Sequence, residues 1–356
     1  MSETYFLGSS TVQGFRTTFD NVIKDESIFT YILKGGAGTG KSSLMKKAAN
    51  EFENYEHVIR YHCSSDPDSL DAVVLTESGV AIVDGTAPHV FDPIIPGINQ
   101  KIINLGDHWD SKKLIQNKDE IVDAIIANKS ALDRAKRFTS ALSNIFSDTY
   151  QIGSDSMLYK KTESFIGRFK KKILPKRGNG TGKTKLLQLS ALTRYGYMTF
   201  TETLEDYFDI YYLKDDYFAA SDFILKAIAS EASSRNIDVI CCPCQLLNCE
   251  SYEHLLLPEI GIAIVGSNPM TNIAPDNGKI INAARFYDKK TVAQKKIRLK
   301  LNKTTCENLC KETAVTLDNA KIIHDEIEKY YIEAMDFDKI NEITETIFNE
   351  IKERKK

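Results

Sequence analysis

Gly35-Gly36-Ala37-Gly38-Thr39-Gly40-Lys41-Ser42 is the stretch of this chain whose residue types and spacing most directly imply chemistry. Four glycines let a backbone curl until successive N–H groups converge on phosphate oxygens. A helix starting at the end of such a loop adds the positive end of its dipole. Lys41 is then placed to reach β- and γ-phosphates, and the Ser42 hydroxyl to ligate Mg²⁺. The expected nucleotide-binding set runs from Gly35 through Ser43, with ATP and Mg²⁺ as ligands.

A metal shell needs a carboxylate nearby. Val80-Ala81-Ile82-Val83-Asp84 reads as a buried strand whose final residue leaves the sheet at its carboxyl edge, where ligands of open α/β sheets sit. Asp84 is the candidate magnesium-shell residue with Ser42; the plainer alternative is an Asp that starts a turn before Gly85. No Glu follows Asp84, which argues against a motor-type ATPase. His62-Cys63-Ser64-Ser65-Asp66-Pro67-Asp68-Ser69-Leu70-Asp71 is expected at the same edge. Asp66 or Asp68 could orient water or accept a proton from a substrate hydroxyl; equally, Ser65–Asp68 could be a capped helix start. His89 is a weaker candidate for this rim, with an ordinary loop histidine as the alternative.

These residues need a scaffold, and the sequence contains it twice. ESGVAIVDGT (77–86) matches EIGIAIVGSN (259–268), QGFRTTFDNV pairs Gly14 with Gly196, and KIINL (101–105) echoes KIINA (279–283). VIRYHC and VICCPC, and ALDRAKRF (131–138) and TLDNAKII (316–323), keep the same order. The reading is α/β, with two tandem P-loop NTPase-like units of parallel sheet flanked by helices: 1–150, a basic flexible linker at 151–185, and 186–356. The stretch 313–356 reads as two amphipathic helices meeting near Met335–Asp338.

The second unit is expected to be degenerate. After Asp209–Leu213 its loop reads Asp215-Asp216-Tyr217-Phe218-Ala219-Ala220-Ser221-Asp222, so Lys41 becomes Ser221 and Asp84 becomes Gly266. Another string, Arg177-Gly178-Asn179-Gly180-Thr181-Gly182-Lys183-Thr184, ends like a phosphate loop but has Arg177 at the first glycine and no apolar strand before it. It reads as linker, with a second phosphate site as the alternative. The basic run Arg168–Lys185 is a solvated linker or a contact for membrane or RNA. Cys241, Cys242, Cys244 and Cys249 lack a standard zinc spacing and read as core thiols, with metal as the alternative.

The segments ILKGGAGTGKSSLMKK, YHCSSDPDSLD, GVAIVDGTAPHVFDP and EIEKYYIEAMDFDKINEI resemble an uncharacterised bacterial family of duplicated P-loop ATPases. The resemblance covers nearly the whole chain, and it implies ATP binding with ATPase or nucleotide-kinase activity. In that family the second half often carries its own intact GTGKS loop; this chain does not.

Bulk composition sets outer bounds. The 356 residues are 42% hydrophobic, enough for two cores. With 46 basic against 49 acidic residues, net charge −3, the chain as a whole is not built to bind nucleic acid. The first residues lack a signal-peptide pattern and no apolar run suits a bilayer, so a cytoplasmic protein with reduced thiols is expected. The acceptor substrate or protein partner is left open: Mg²⁺-dependent hydrolysis or phosphoryl transfer by Lys41, Ser42 and Asp84, a small-molecule or nucleotide kinase, and a non-catalytic switch remain alternatives.

Overall fold

A computed structural model describes residues 2–354 except 19, 88, 89, 91, 178, 179, 272 and 274–277. The fold is α/β, with two similar sheet units. Contacts divide the chain into one compact unit of residues 1–8, 17–135 and 314–356, and another of residues 9–16 and 136–313.

Chain order begins with β1 (Ser2–Phe6), the hairpin strands β2 (Gly8–Thr11) and β3 (Gly14–Thr17), and α1 (Asp20–Ile23). Then come β4 (Phe29–Lys34), α2 (Lys41–Phe52), β5 (Val58–His62), β6 (Leu70–Leu75), β7 (Val80–Asp84) and β8 (Gln100–Asn104). Helices α3 (Ser111–Gln116), α4 (Lys118–Ser156) and α5 (Tyr159–Ile173) follow. The pattern returns as β9 (Thr184–Leu186), β10 (Ser190–Thr193), β11 (Gly196–Thr199), β12 (Asp209–Lys214), α6 (Ala219–Ser234), β13 (Val239–Pro243), β14 (Tyr252–Leu257), β15 (Ile262–Ser267) and β16 (Lys279–Asn282). It closes with α7 (Lys289–Gln294), α8 (Lys296–Ala334) and α9 (Phe337–Arg354).

In the first unit the sheet order is β1-β5-β6-β7-β4-β8; in the second it is β9-β13-β14-β15-β12-β16, the same order element for element. The expectation of parallel sheets from sequence is corrected: both sheets are mixed. β6 runs antiparallel to both β5 and β7, and β14 antiparallel to β13 and β15. The reason is the short return at Thr76–Gly79, where Gly79 takes φ 61°. A four-residue turn can join only antiparallel neighbours, because a parallel crossover needs a dozen or more residues. The strand β4 that leads to the glycine loop remains parallel to β7 and β8.

The stretch 151–185, expected as a flexible linker, contains the end of α4, all of α5 and the start of β9. Thr162, Ile166, Phe169 and Ile173 lie on one buried face of α5, while the lysines and Arg168 take the other. A basic sequence therefore hides an amphipathic helix, because long cationic side chains occupy only its solvent side. In the second unit Phe169 packs edge-on against Tyr211 at 5.0 Å. In the first unit the corresponding place is taken by α9: Ile347, Phe348 and Ile351 join α2 and the sheet in one core, with Phe348 edge-on to Phe52 at 5.6 Å. The compact units thus cut across the boundaries 1–150 and 186–356. Each sheet's core includes a helix from the other half of the sequence. The break between α8 and α9 falls at Met335 and Asp336, where the sequence expects it. Among the described residues no helix is long and apolar enough to cross a membrane.

Candidate functional site

The Gly35–Ser42 loop runs from the end of β4 into the first turn of α2. Leu44, Met45, Ala48, Ala49 and Phe52 bury one face of α2, so the helix is fixed by its packing. Its start is not fixed by a side-chain cap: Gly40, at φ 85°, occupies the N-cap position without one. Gly38 has φ 69° and no room for a side chain. A Cβ there would lie 2.8 Å from the Glu328 carbonyl oxygen and 3.2 Å from atoms of Tyr331 and Ile332.

Lys41 Nζ donates to the carbonyl oxygens of Gly35 at 2.8 Å and Gly36 at 2.7 Å, and lies 3.8 Å from Asp84 Oδ2. Its side chain is 11% exposed, so the ammonium is held within the loop instead of waving in solvent. Thr39 Oγ1 donates to Gly36 O and further ties the loop. Asp84 closes β7, and its Oδ1 accepts from both the amide and the hydroxyl of Thr86. Ser42 Oγ accepts from the Leu70 amide at 3.0 Å, which ties α2 to the start of β6. Ala37 is half-buried and Ser43 exposed. Burial pushes the Lys41 ammonium down and the Asp84 carboxyl up, while each charge works against the other's shift.

Sequence reasoning passed over two carboxylates as individual candidates. Asp71 on β6 acts electrostatically on both Lys41 and Asp84. Its signal was an aspartate inside an otherwise apolar strand. Glu328, on α8, accepts a hydrogen bond from the Gly38 amide through Oε1 at 3.3 Å and also acts on Lys41. Nothing local in the sequence links residues 290 positions apart.

Asp66 and Asp68 stand in the segment between β5 and β6. The segment after β5 is a turn, not a capped helix: the Ser69 amide bonds Asp66 O, and Ser69 Oγ bonds Asp66 Oδ2. Asp66 is buried and lies 3.9 Å from Lys321 Nζ; Asp68 is exposed in the turn. His89 lies outside the described residues. His324, Asp325 and Glu328 place ligand atoms within 4.8 Å of one another, but Lys321 bonds Asp325 and already supplies a cation there.

The second unit has a shorter loop, residues 215–218 between β12 and α6 against 35–40 between β4 and α2, and fills it. Phe218 has φ 66° at the N-cap of α6, a left-handed position that Gly40 holds before α2 and that the sequence register sets against Gly38. Asp215 is 1% exposed, and its carboxylate accepts from the Ser221 amide at 2.8 Å, the Tyr217 amide at 3.1 Å and the Tyr287 hydroxyl. The Ala220 amide donates to that same Tyr287 oxygen at 2.7 Å. Asp222 Oδ1 accepts from the Tyr252 amide at 2.8 Å, as Ser42 accepts from Leu70.

The Arg177–Thr184 string makes no inward-facing cradle among its described residues. The Gly182 amide donates to Ser233 O and the Lys183 amide to Asp238 Oδ1, while Lys183 O accepts from Val239. These bonds begin the edge strand β9, not a helix. Cys241, Cys242 and Cys244 are buried in the second unit, where burial pushes the Cys241 and Cys244 thiols up. Compared with protein-family models, curated proteins and solved structures, the chain matches none.

Proposed function

We propose that the first unit binds a nucleoside triphosphate, ATP, with Mg²⁺ at the Gly35–Ser43 loop, and that this site supports hydrolysis or phosphoryl transfer. The observation that carries the reading is the position of Lys41: fixed by two loop carbonyls and 3.8 Å from Asp84, at the N-terminus of a helix. A fixed cation, loop amides and a helix dipole suit a polyphosphate. The donors near Lys41 are hard oxygens, which suit Mg²⁺. Ser42 and Asp84 would hold the ion, with Asp71 beside them. When bound, the ion would neutralise charge on the β- and γ-oxygens.

The tandem arrangement fits a duplicated P-loop protein with one live site. Asp215 supplies the negative charge that a phosphate would otherwise bring to the second loop. A non-catalytic switch is the second reading, favoured by the contact of α8 with Gly38.

Equilibrium binding of Mg·ATP to the full chain, alongside ADP release with and without a metabolite panel, tests these readings. One site per chain with turnover supports the ATPase, acceptor-dependent release a kinase, and tight binding without turnover the switch. No binding at millimolar ATP would sink all three.

A further inference from the structure

We infer that Glu328 is a tethered competitor of the phosphate: its carboxylate occupies the Gly38 amide in the nucleotide-free protein and must leave before a nucleotide can seat. The inference rests on the nucleotide-binding reading above and extends it to the regulation of that site.

The argument begins with Gly38. Its amide is one of the loop's backbone donors, and its hydrogen bond goes to Glu328 Oε1 at 3.3 Å. A donor engaged by one anionic oxygen is not open to another in the same direction. Glu328 also carries the charge sign of the ligand and acts on Lys41, the cation meant for phosphate. It is therefore opposed to nucleotide on two counts, by donor occupancy and by like charge.

The contact is built in. Glu328 O, Tyr331 Cβ and Ile332 Cγ1 all close on Gly38 so tightly that only glycine fits there. Tyr331 in turn packs on Trp109, ring centroids 5.3 Å apart, and Trp109 lies beside Gly36. One turn of α8 thus covers the loop, and Glu328 is the residue of that turn that bonds a loop amide. Its side chain is one-third exposed, so it can rotate away into solvent without unfolding the helix. The second unit gives the internal comparison. There Asp215 fills the cradle from within the loop, 1% exposed, with three donors on it. Glu328 makes a single 3.3 Å bond from a side chain that water reaches, which is an occupant that can be displaced.

The test measures Mg·ATP and Mg·tripolyphosphate affinity by calorimetry for the parent, Glu328→Gln and Glu328→Ala, with melting curves to confirm folding. Removing a charged competitor for one amide should tighten both ligands by about tenfold in Glu328→Ala. Glu328→Gln, which keeps an acceptor but drops the charge, should fall between it and the parent. Unchanged or weaker affinity in folded variants, with the parent binding, overturns the competition and leaves nucleotide binding standing. Unchanged affinity with lost turnover assigns Glu328 to chemistry and likewise overturns it. Absence of binding in all three proteins overturns the competition together with the reading beneath it.

Discussion

Replacing Lys41 by alanine should cost the protein two separate things, and the structure allows them to be measured apart. The substitution removes a cation 3.8 Å from Asp84 and the donor serving the Gly35 and Gly36 carbonyls. At an effective dielectric near 20, unit charges at that separation attract by roughly 4 kcal/mol. Desolvation works against that gain, as the downward shift of Lys41 and the upward shift of Asp84 both show. A net coupling of about 1–2 kcal/mol remains, and the lost carbonyl bonds bring the total to about 2–3 kcal/mol. The first unit should lose that stability in Lys41→Ala. Adding Asp84→Asn should cost less in that background than in the parent, because no buried charge is then stranded. The sign with pH follows: Asp84 has a raised folded pKa, so the loss is smallest at acid pH and grows as pH rises through that pKa. Urea unfolding followed by Trp109 emission reads the first unit, since Trp109 is the chain's single tryptophan. Strictly additive losses in the cycle would refute the pairing. Neither variant should bind ATP, so a double variant that regains both stability and ATP binding would show that Lys41 serves the fold alone.

Three further outcomes are expected. Lys183→Ala should leave ATP stoichiometry at one per chain, because the Gly182 and Lys183 amides of that string are committed to Ser233 and Asp238; labelled-nucleotide binding showing two sites falling to one would refute this. Asp215→Ala strands the Ser221 and Tyr217 amides and the Tyr287 hydroxyl, and should destabilise the second unit by about 3–5 kcal/mol, read by far-ultraviolet circular dichroism; a loss below 1 kcal/mol, taken as the rough value of one ordinary bond, would contradict the buried role. Burial pushes Glu253 from 4.5 up to about 7 and pulls His254 from 6.5 down to about 3. The glutamate's contribution is lost as pH rises through about 7 and the histidine's as pH falls below 6.5, so between pH 4.5 and 6.5 they offset. Glu253→Gln should leave stability rising with pH across that window, by up to about 1.4 kcal/mol per unit, and a flat denaturation profile would refute the linkage.

The glycine loop was legible because its demands are local: positive φ at Gly38 and Gly40, a strand before and a helix after. Asp84 was legible for the same reason, ending an apolar strand. β6 was not, because Leu70–Leu75 follows a polar turn and was absorbed into the Asp66–Asp71 cluster; counting it would have reversed the direction of one strand and corrected the sheet. The membership of α5 and α9 could not be read at all. Either helix has an apolar face able to cover a sheet, and periodicity says that a face is buried, not which of the two sheets buries it.

On the proposed reading, the two loops together illustrate what a phosphate cradle requires when no phosphate is bound. Curling a backbone inward creates a row of donors that burial makes expensive to leave unpaired. In the second loop the chain meets that demand permanently: Asp215 and Tyr287 take the amides of Tyr217, Ala220 and Ser221. Phe218 can then replace a glycine at φ 66°, its strain of about 1–2 kcal/mol offset by packing against Phe146 and Tyr150. In the first loop the glycines are kept, and the anion at Gly38 comes from a side chain on a different element that water can reach. The absence of the glycines and the presence of an internal carboxylate therefore go together, since a filled loop does not need the close approach that glycine permits. On this argument, Phe218→Gly alone would not open the second loop. Asp215 would still hold the amides, and the loop would stay shut to anions until the carboxylate itself was removed.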